Sequence, residues 1–377
     1  LFILVVEILA IKIRNDKNIK GVKFNQHEIK VSLFADDTTI FVKDPDSLQT
    51  VLNTMGQFKT SSGLSINYSK TNVIQVGEKT WNLKKLKISD VEEIYSLGTW
   101  FYKDHMKINN QNYEIKYKQF ENILSYWENR KLNILERIKI VKTYAFSKIN
   151  YIMSNLQITE DFVHKVQKSI NYFIWNKKKP KIKQQVAYQS IKNGGLAIPD
   201  IEKIVMSNRI TWIKRLLGKE NRNLQFISMY LPNLPFEYFI KCNYNPIDLP
   251  LDIPLFYHQI LFAWFSLKNE PHDPIQIRNE LVLFNKYIEI DKMYFFDQKL
   301  LNSNTVLVND FFEKSGKPMS YQAFTTIYGN IISSFRYMSL IDAIPSKWKK
   351  NLTKQVINRD ICSIHTTPTY YTKKNVY

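Results

Sequence analysis

The apolar positions of the chain alternate between helical and extended spacing up to about Asn109 and are helical after it. Leu1 to Arg14 is an apolar run that the pattern predicts as a helix, closed by the polar turn Asn15 to Asn18. Gly21 marks a turn into Val22 to Phe24, and Ile29 to Phe34 then leads into a tight acidic connection. Val31 to Phe34 and Thr38 to Val42, both rich in apolar and β-branched residues, predict two short strands with Ala35, Asp36 and Asp37 between them, placing both carboxylates at the end of a largely buried hairpin. Asp44, Pro45, Asp46 and Ser47 form a stop and N-cap signal, after which Leu48, Val51, Leu52, Met55 and Phe58 recur at helical spacing up to Ser61, Ser62 and Gly63. The second half of Gly63 to Val76 and the segment Glu93 to Leu97, ended by Gly98, read as further extended pieces. Helix, hairpin, helix and more strands make an α+β layer packing.

From about Asn109 the period becomes helical throughout. Tyr113 to Arg130 is one predicted helix, and Leu132, Leu135, Ile138, Val141 and Ala145 mark a second, with Ile134 and Ile149 on its flanks. A third runs from about Asp161 to Trp175. Beyond about Asn221 aromatics become dense, at Phe236 to Phe239 and Phe256 to Phe265, in a mainly helical region punctuated by Asp252, Pro254, His272, Asp273 and Pro274. No internal repeat or low-complexity tract is visible. The expected divisions are 1–102, 103–220, 221–365 and a polar, disordered tail at 366–377.

Composition adds a direction. The 377 residues, 44% hydrophobic and 14% aromatic with only 10 Gly and 13 Pro, describe a folded chain rather than a disordered one. Net charge is +19, and residues 103–220 hold 23 Lys and Arg against 10 Asp and Glu, so the surplus is concentrated in the helical middle. Such an excess implies a polyanionic partner, nucleic acid first and an anionic membrane surface second. The membrane finds little support, because the basic helices lack a clear exposed apolar face and no segment reaches the length of a span. Two cysteines, Cys242 and Cys362, cannot build a disulfide framework or a zinc cluster, which points to a reducing compartment. The first ten residues, LFILVVEILA, have the look of a signal core but lack a basic flank and carry Glu7, so they read as a buried helix whose upstream chain is missing.

Two features carry candidate chemistry. Adjacent carboxylates such as Asp36 and Asp37 stabilise a fold poorly unless a cation compensates them, and a divalent metal is one such cation. Mg2+ takes one or two carboxylates plus substrate phosphates, as in polymerases and nucleases. The alternative is a solvated turn, where Asp is common. The cluster WNKKKPKIK, with Lys177, Lys178, Lys179, Lys181 and Lys183 beside Tyr172 and Trp175, is either a solvated loop or a surface that tracks phosphates with aromatics at hand for stacking. His258 and His272 stand too far apart in sequence to suggest a ligand pair and read as packing residues.

Taken in order, the motifs resemble those of reverse transcriptases. VSLFADDTTIF is similar to motif C, LFILVVEILAIKIRNDKNIKGVKF to the end of motif B, SGLSINYSKTNVI to motif D and YSLGTWF to the primer-grip region. Tyr126 to Leu156, FIWNKKKPKIK and NGGLAIPDI resemble the thumb of LINE-type non-LTR retrotransposon polymerases, and Tyr287 to Phe324 resembles the region past that thumb. The resemblance implies a partial polymerase palm, a helical thumb and a further helical region. It implies an RNA-directed DNA polymerase that extends a primer with two Mg2+ ions, taking an RNA template, a DNA primer and deoxynucleotide triphosphates, within a ribonucleoprotein of the cytoplasm and nucleus. Asp36 and Asp37 match the metal-binding pair, with Asp36 the more direct ligand, and Phe34 and Ala35 match positions near the primer end. Leu97 and Gly98 fall in the primer grip, and Lys70 matches a motif D lysine proposed to assist the pyrophosphate leaving group, with a plain surface lysine as its alternative. Lys116, Arg130, Arg137, Lys142 and the lysine cluster are the thumb candidates for holding a template and primer duplex. The family's motif A carboxylate and fingers have no counterpart here, nor is there a zinc-type Cys and His cluster. The resemblance therefore implies a slice of a larger polyprotein, inactive by itself, or else a silent remnant that only binds nucleic acid.

Overall fold

The structure is a computed structural model that describes residues 2–24, 27–77, 81–83, 88–218, 223–231, 234–250 and 252–353. The expected tail at 366–377, with Cys362 before it, lies outside the described residues. Two compact units divide the chain: Leu1–Leu156 with Lys168–Gln184, and Gln157–Gln167 with Gln185 onward.

The first unit begins with α1 (Phe2–Asn15), whose last turn carries Lys12 and Arg14, the sign of charge that a helix C-terminus favours. β1 (Val22–Phe24) pairs antiparallel with β2 (His27–Ile29), and after Lys30 the chain enters β3 (Val31–Phe34), which pairs with β4 (Asp37–Ile40). α2 (Pro45–Ser62) starts on an Asp44 cap whose side chain accepts the Ser47 N–H at 2.8 Å, and it closes on Gly63. Leu9, Ala10 and Ile13 of α1, Ile19, Val31 of β3 and Val51 of α2 form one small core, with Leu33, Ile40, Met55 and Phe58 packed on it.

Three features differ from what the hydrophobic pattern predicts. The hairpin is mostly exposed rather than largely buried: only Val31 is fully covered, with Leu33 and Ile40 partly so. The second strand starts at Asp37, paired with Phe34, and ends at Ile40, so Ala35 and Asp36 alone make the connection. Helix α1 is buried on one side only, through Val6, Leu9, Ala10 and Ile13, while Phe2, Ile3, Leu4, Ile8 and Ile11 remain exposed. Within its unit α1 packs against α2 and β3, and those elements cover a single stripe.

A short 3-10 turn (Tyr68–Lys70) leads to β5 (Asn72–Val73), which runs parallel to β6 (Ser89–Asp90). The hairpin of β7 (Glu93–Ser96) and β8 (Thr99–Tyr102) follows. Its second strand is unmarked in the hydrophobic pattern, because TWFY does not alternate. α3 (Met106–Glu128) holds this hairpin through buried Asn112, whose side chain accepts the Trp100 N–H at 2.8 Å and donates to the Trp100 carbonyl at 2.7 Å. α4 (Ile134–Ile140) opens on a capping box between Asn133 and Glu136, passes through a single π turn (Val141–Ala145) and continues as α5 (Phe146–Asn155). The division between units falls inside α6 (Glu160–Ile174).

The second unit is built from helices. They are α7 (Gln184–Tyr188), α8 (Ile201–Leu216), α9 (Asn223–Ser228), α10 (Phe236–Lys241), α11 (Leu255–Ser266) and α12 (Pro274–Arg278), then after the two-residue strands β9 (Glu289–Ile290) and β10 (Met293–Tyr294) come α13 (Gln298–Asn302), α14 (Tyr321–Tyr328), α15 (Ser334–Ala343) and α16 (Ser346–Thr353). α8 and α11 lie side by side. Phe239, Phe265, Phe311, Phe324, Tyr337 and Trp348 are fully buried in the core, which absorbs the aromatic density of the sequence. The whole is α+β, with short hairpins in the first part and a mostly helical remainder.

Candidate metal hairpin and nucleic-acid interface

The β3–β4 hairpin presents its acidic end to solvent. Phe34 is 65% exposed, and Ala35, Asp36 and Asp37 are exposed too. Phe34 and Asp37 are cross-strand partners and share a face, whereas Asp36 stands in the turn. Ala35 takes a left-handed backbone (φ 52°), which costs an alanine roughly 1 kcal/mol, so the connection is tight and mildly strained. Neither carboxylate has an ion-pair or hydrogen-bond partner among the described residues. Two uncompensated carboxylates are hard oxygen donors of the kind Mg2+ accepts, so the pair fits as part of a metal site. Among the described residues no group of three or more His, Cys, Asp and Glu side chains comes together to hold a metal, so Asp36 and Asp37 supply two donors and no more.

The hairpin is fixed at its base by residues that the sequence pattern does not single out. Lys30 is buried, donating to the carbonyls of Arg14 (3.2 Å) and Asp16 (2.7 Å) at the end of α1 and pairing with Glu28 at 3.4 Å. The slight burial of Glu28 pushes its carboxyl pKa up, but the Gly21 N–H at 2.9 Å and the Lys30 ammonium outweigh it, and the net pKa is lowered. A side chain at Gly21 would meet the Ile29 carbonyl oxygen at 2.3 Å, so only glycine lets these strands close. On the other side the Phe41 N–H donates to the Lys30 carbonyl at 2.8 Å and the Lys43 N–H to the Lys20 carbonyl at 2.9 Å. A lone Lys within a β-branched run offers no pattern that would distinguish it from a solvent-facing strand residue.

Lys70 ends the 3-10 turn, exposed, and nothing described joins it to the Asp pair. Leu97 and Gly98 are the two central residues of the β7–β8 connection, both with positive φ (48° and 83°), as a type I′ turn requires. Gly98 faces the ring of Tyr151 on α5, to which an added Cβ would come within 3.3 Å. That turn therefore sits against α5, within the same unit.

The basic candidates separate into three kinds. Arg137 is not a surface residue: it is 4% exposed, stacks on the Phe173 ring at 5.0 Å and donates to the carbonyls of Phe173 (3.0 Å), Leu132 (3.4 Å) and Glu128 (3.4 Å). Its guanidinium satisfies helix-end carbonyls, which removes it from the set available to a polyanion. Lys116, partly buried, lies 6.0 Å over the Tyr95 ring, and Lys142 is exposed, with partial desolvation of its ammonium lowering the pKa. Arg130 is exposed and rests on two rings, Tyr126 at 4.8 Å and Trp127 at 4.6 Å. In the cluster after α6, Lys177 takes a left-handed backbone (φ 64°) and pairs with Glu128 at 2.9 Å, a hydrogen bond that raises its pKa. Lys178, Lys179, Lys181 and Lys183 are exposed and have no carboxylate partner among the described residues. His258 is half-buried and stacks on Phe262, whereas His272 is exposed and its backbone carbonyl accepts from Asn351. Among the described residues no helix is long and apolar enough to cross a membrane.

The acidic hairpin, the Lys70 turn, the β7–β8 hairpin and the first half of α3 all lie within residues 1–117, which match the family model for reverse transcriptase (RNA-dependent DNA polymerase).

Proposed function

We propose that this chain is the metal-binding hairpin, primer-contacting turn and basic helical surface of an RNA-directed DNA polymerase of the LINE-type non-LTR class, belonging to a larger polyprotein that supplies a third carboxylate. The match of residues 1–117 supports the polymerase family. The observation that carries the site reading is the exposed, uncompensated pair Asp36 and Asp37 at the end of a hairpin braced by Lys30 and Gly21. Asp36 and Asp37 would hold Mg2+, which when bound stabilises the charge of an in-line phosphoryl displacement. The chain's own residues position the partners: Phe34 and Ala35 border the primer end, Leu97 and Gly98 present a fixed turn, and Lys70 supplies a cation to the leaving pyrophosphate. Lys178, Lys179, Lys181 and Lys183 neutralise backbone phosphates of the template and primer duplex.

The test is primer extension on an RNA template by the polymerase containing this chain, against its Asp36→Asn version. The charge-neutral variant should lose at least about a hundredfold in rate, since electrostatic stabilisation at the reacting centre is commonly worth about 2.7 kcal/mol or more. Undiminished synthesis would remove the metal assignment and leave the alternative, a chain that only binds nucleic acid.

A further inference from the structure

On the first unit two aromatic rings hold a cation between them, and a third ring stacks on one of the two. Tyr126 and Trp127 end α3, with centroids 5.7 Å apart and edge to face, and Tyr144 of the π turn lies nearly parallel to Trp127 at 6.2 Å. Arg130 lies over both α3 rings and donates to the Tyr126 hydroxyl at 2.8 Å. Packing does not account for this group, because Tyr126 is 65% and Tyr144 53% exposed. Neither does ion pairing, because Arg130 has no carboxylate partner among the described residues while its neighbour Glu128 is taken by Lys177. The π turn adds an independent sign. A wider turn inserts a residue into the helix ladder and turns its side chains relative to an unbroken helix, and such insertions recur at functional positions. Tyr144, which stacks on Trp127, lies within this turn.

We propose that Tyr126, Trp127, Tyr144 and Arg130 form a shelf on which bases of a single-stranded nucleic acid stack, with the Arg130 guanidinium facing the flanking phosphate. Exposed π faces recognise bases of any sequence, a held and unpaired cation recognises the phosphate between them, and the positive surplus of residues 103–220 matches a polyanion rather than an apolar partner. The inference rests on the nucleic-acid reading of this unit but concerns unpaired bases, which the lysine cluster does not read.

Binding of a fluorescent single-stranded oligonucleotide to the full chain tests it, with an abasic oligonucleotide of equal length and a blunt duplex in parallel. Tyr126→Leu combined with Tyr144→Leu should weaken single-strand binding about fivefold or more, the lower end of what stacking is worth per base. The same variant should leave duplex and abasic binding, and the salt slope of each, unchanged. Arg130→Gln should weaken single-strand binding too. Unfolding midpoints of these variants, at exposed positions, should match the parent. Equal single-strand affinity for parent and double variant, or equal parent affinity for the abasic and the ordinary strand, overturns the shelf alone. Absence of parent binding to all three nucleic acids overturns both the shelf and the wider reading.

Discussion

Ala35 holds a backbone conformation that suits glycine better, and it does so beside the two carboxylates on which the functional reading depends. Replacing it should show whether that geometry limits stability. Ala35→Gly should change the unfolding free energy by less than about 0.5 kcal/mol, relief of the left-handed strain offsetting the greater freedom of glycine in the unfolded chain. Ala35→Val should cost more than about 1 kcal/mol, because a β-branched residue tolerates positive φ worse. Urea unfolding monitored by circular dichroism compares the three. Arg137 gives the second residue-scale prediction: Arg137→Met should lower stability by about 2 kcal/mol, by stranding helix-end carbonyls, and leave the salt dependence of nucleic-acid binding untouched. A change in salt slope would return Arg137 to the surface. In the sequence the acidic pair alone reads equally as a solvated turn, where Asp is common, and the ordered motifs around it single it out. The sequence does not separate Arg137 from Arg130, because both are basic residues at helix ends and only the tertiary packing puts one under Phe173 and the other on an open aromatic face.

Helix ends are legible where a cap or the apolar spacing marks them, with α2 capped where Asp44 and Gly63 predicted and α6 within a residue of its expected ends, whereas α3 starts at Met106 rather than at Tyr113. Short strands are harder to read from sequence. The four residues of β8 do not alternate, the two-residue pairs β5–β6 and β9–β10 hold too few residues to do so, and the π turn leaves no trace in a hydrophobic pattern that Val141 and Ala145 satisfy equally well in a regular helix. The loop after α6 carries an element-scale prediction. Replacing Lys177, Lys178 and Lys179 together with Ala should weaken duplex binding and flatten its salt dependence, by up to about 0.9 log unit of slope for each phosphate that is no longer neutralised. Lys177→Ala alone should flatten it less than Lys178→Ala, because Glu128 already neutralises Lys177. An unchanged slope in the triple variant would make the cluster a solvated loop.

At the scale of the whole molecule, the divisions expected at 102 and 220 rest on changes of period and charge, whereas the compact units part inside α6 and near Gln184. Composition does not see such a division, because basic residues continue across it. In the core of the second unit Cys242 is fully buried, and burial pushes the thiol pKa up to about 12. The folded pKa is raised above an unfolded value near roughly 8.5, so the contribution of this group to stability is complete below pH ~8.5 and is lost as pH rises toward 12. In a Cys362→Ser variant, Cys242 should therefore resist a thiol-reactive disulfide at pH 9 and react only as fast as the protein opens; rapid labelling of the folded chain would contradict its placement. Binding of a divalent metal by Asp36 and Asp37 can be read without requiring activity, with Fe2+ in place of Mg2+. With ascorbate and peroxide, bound Fe2+ should cleave the backbone of the full chain around Phe34 to Asp37, with Mg2+ competing the cleavage away and Asp36→Asn with Asp37→Asn abolishing it. Cleavage elsewhere, or cleavage at the hairpin that persists in the double variant, would contradict the account.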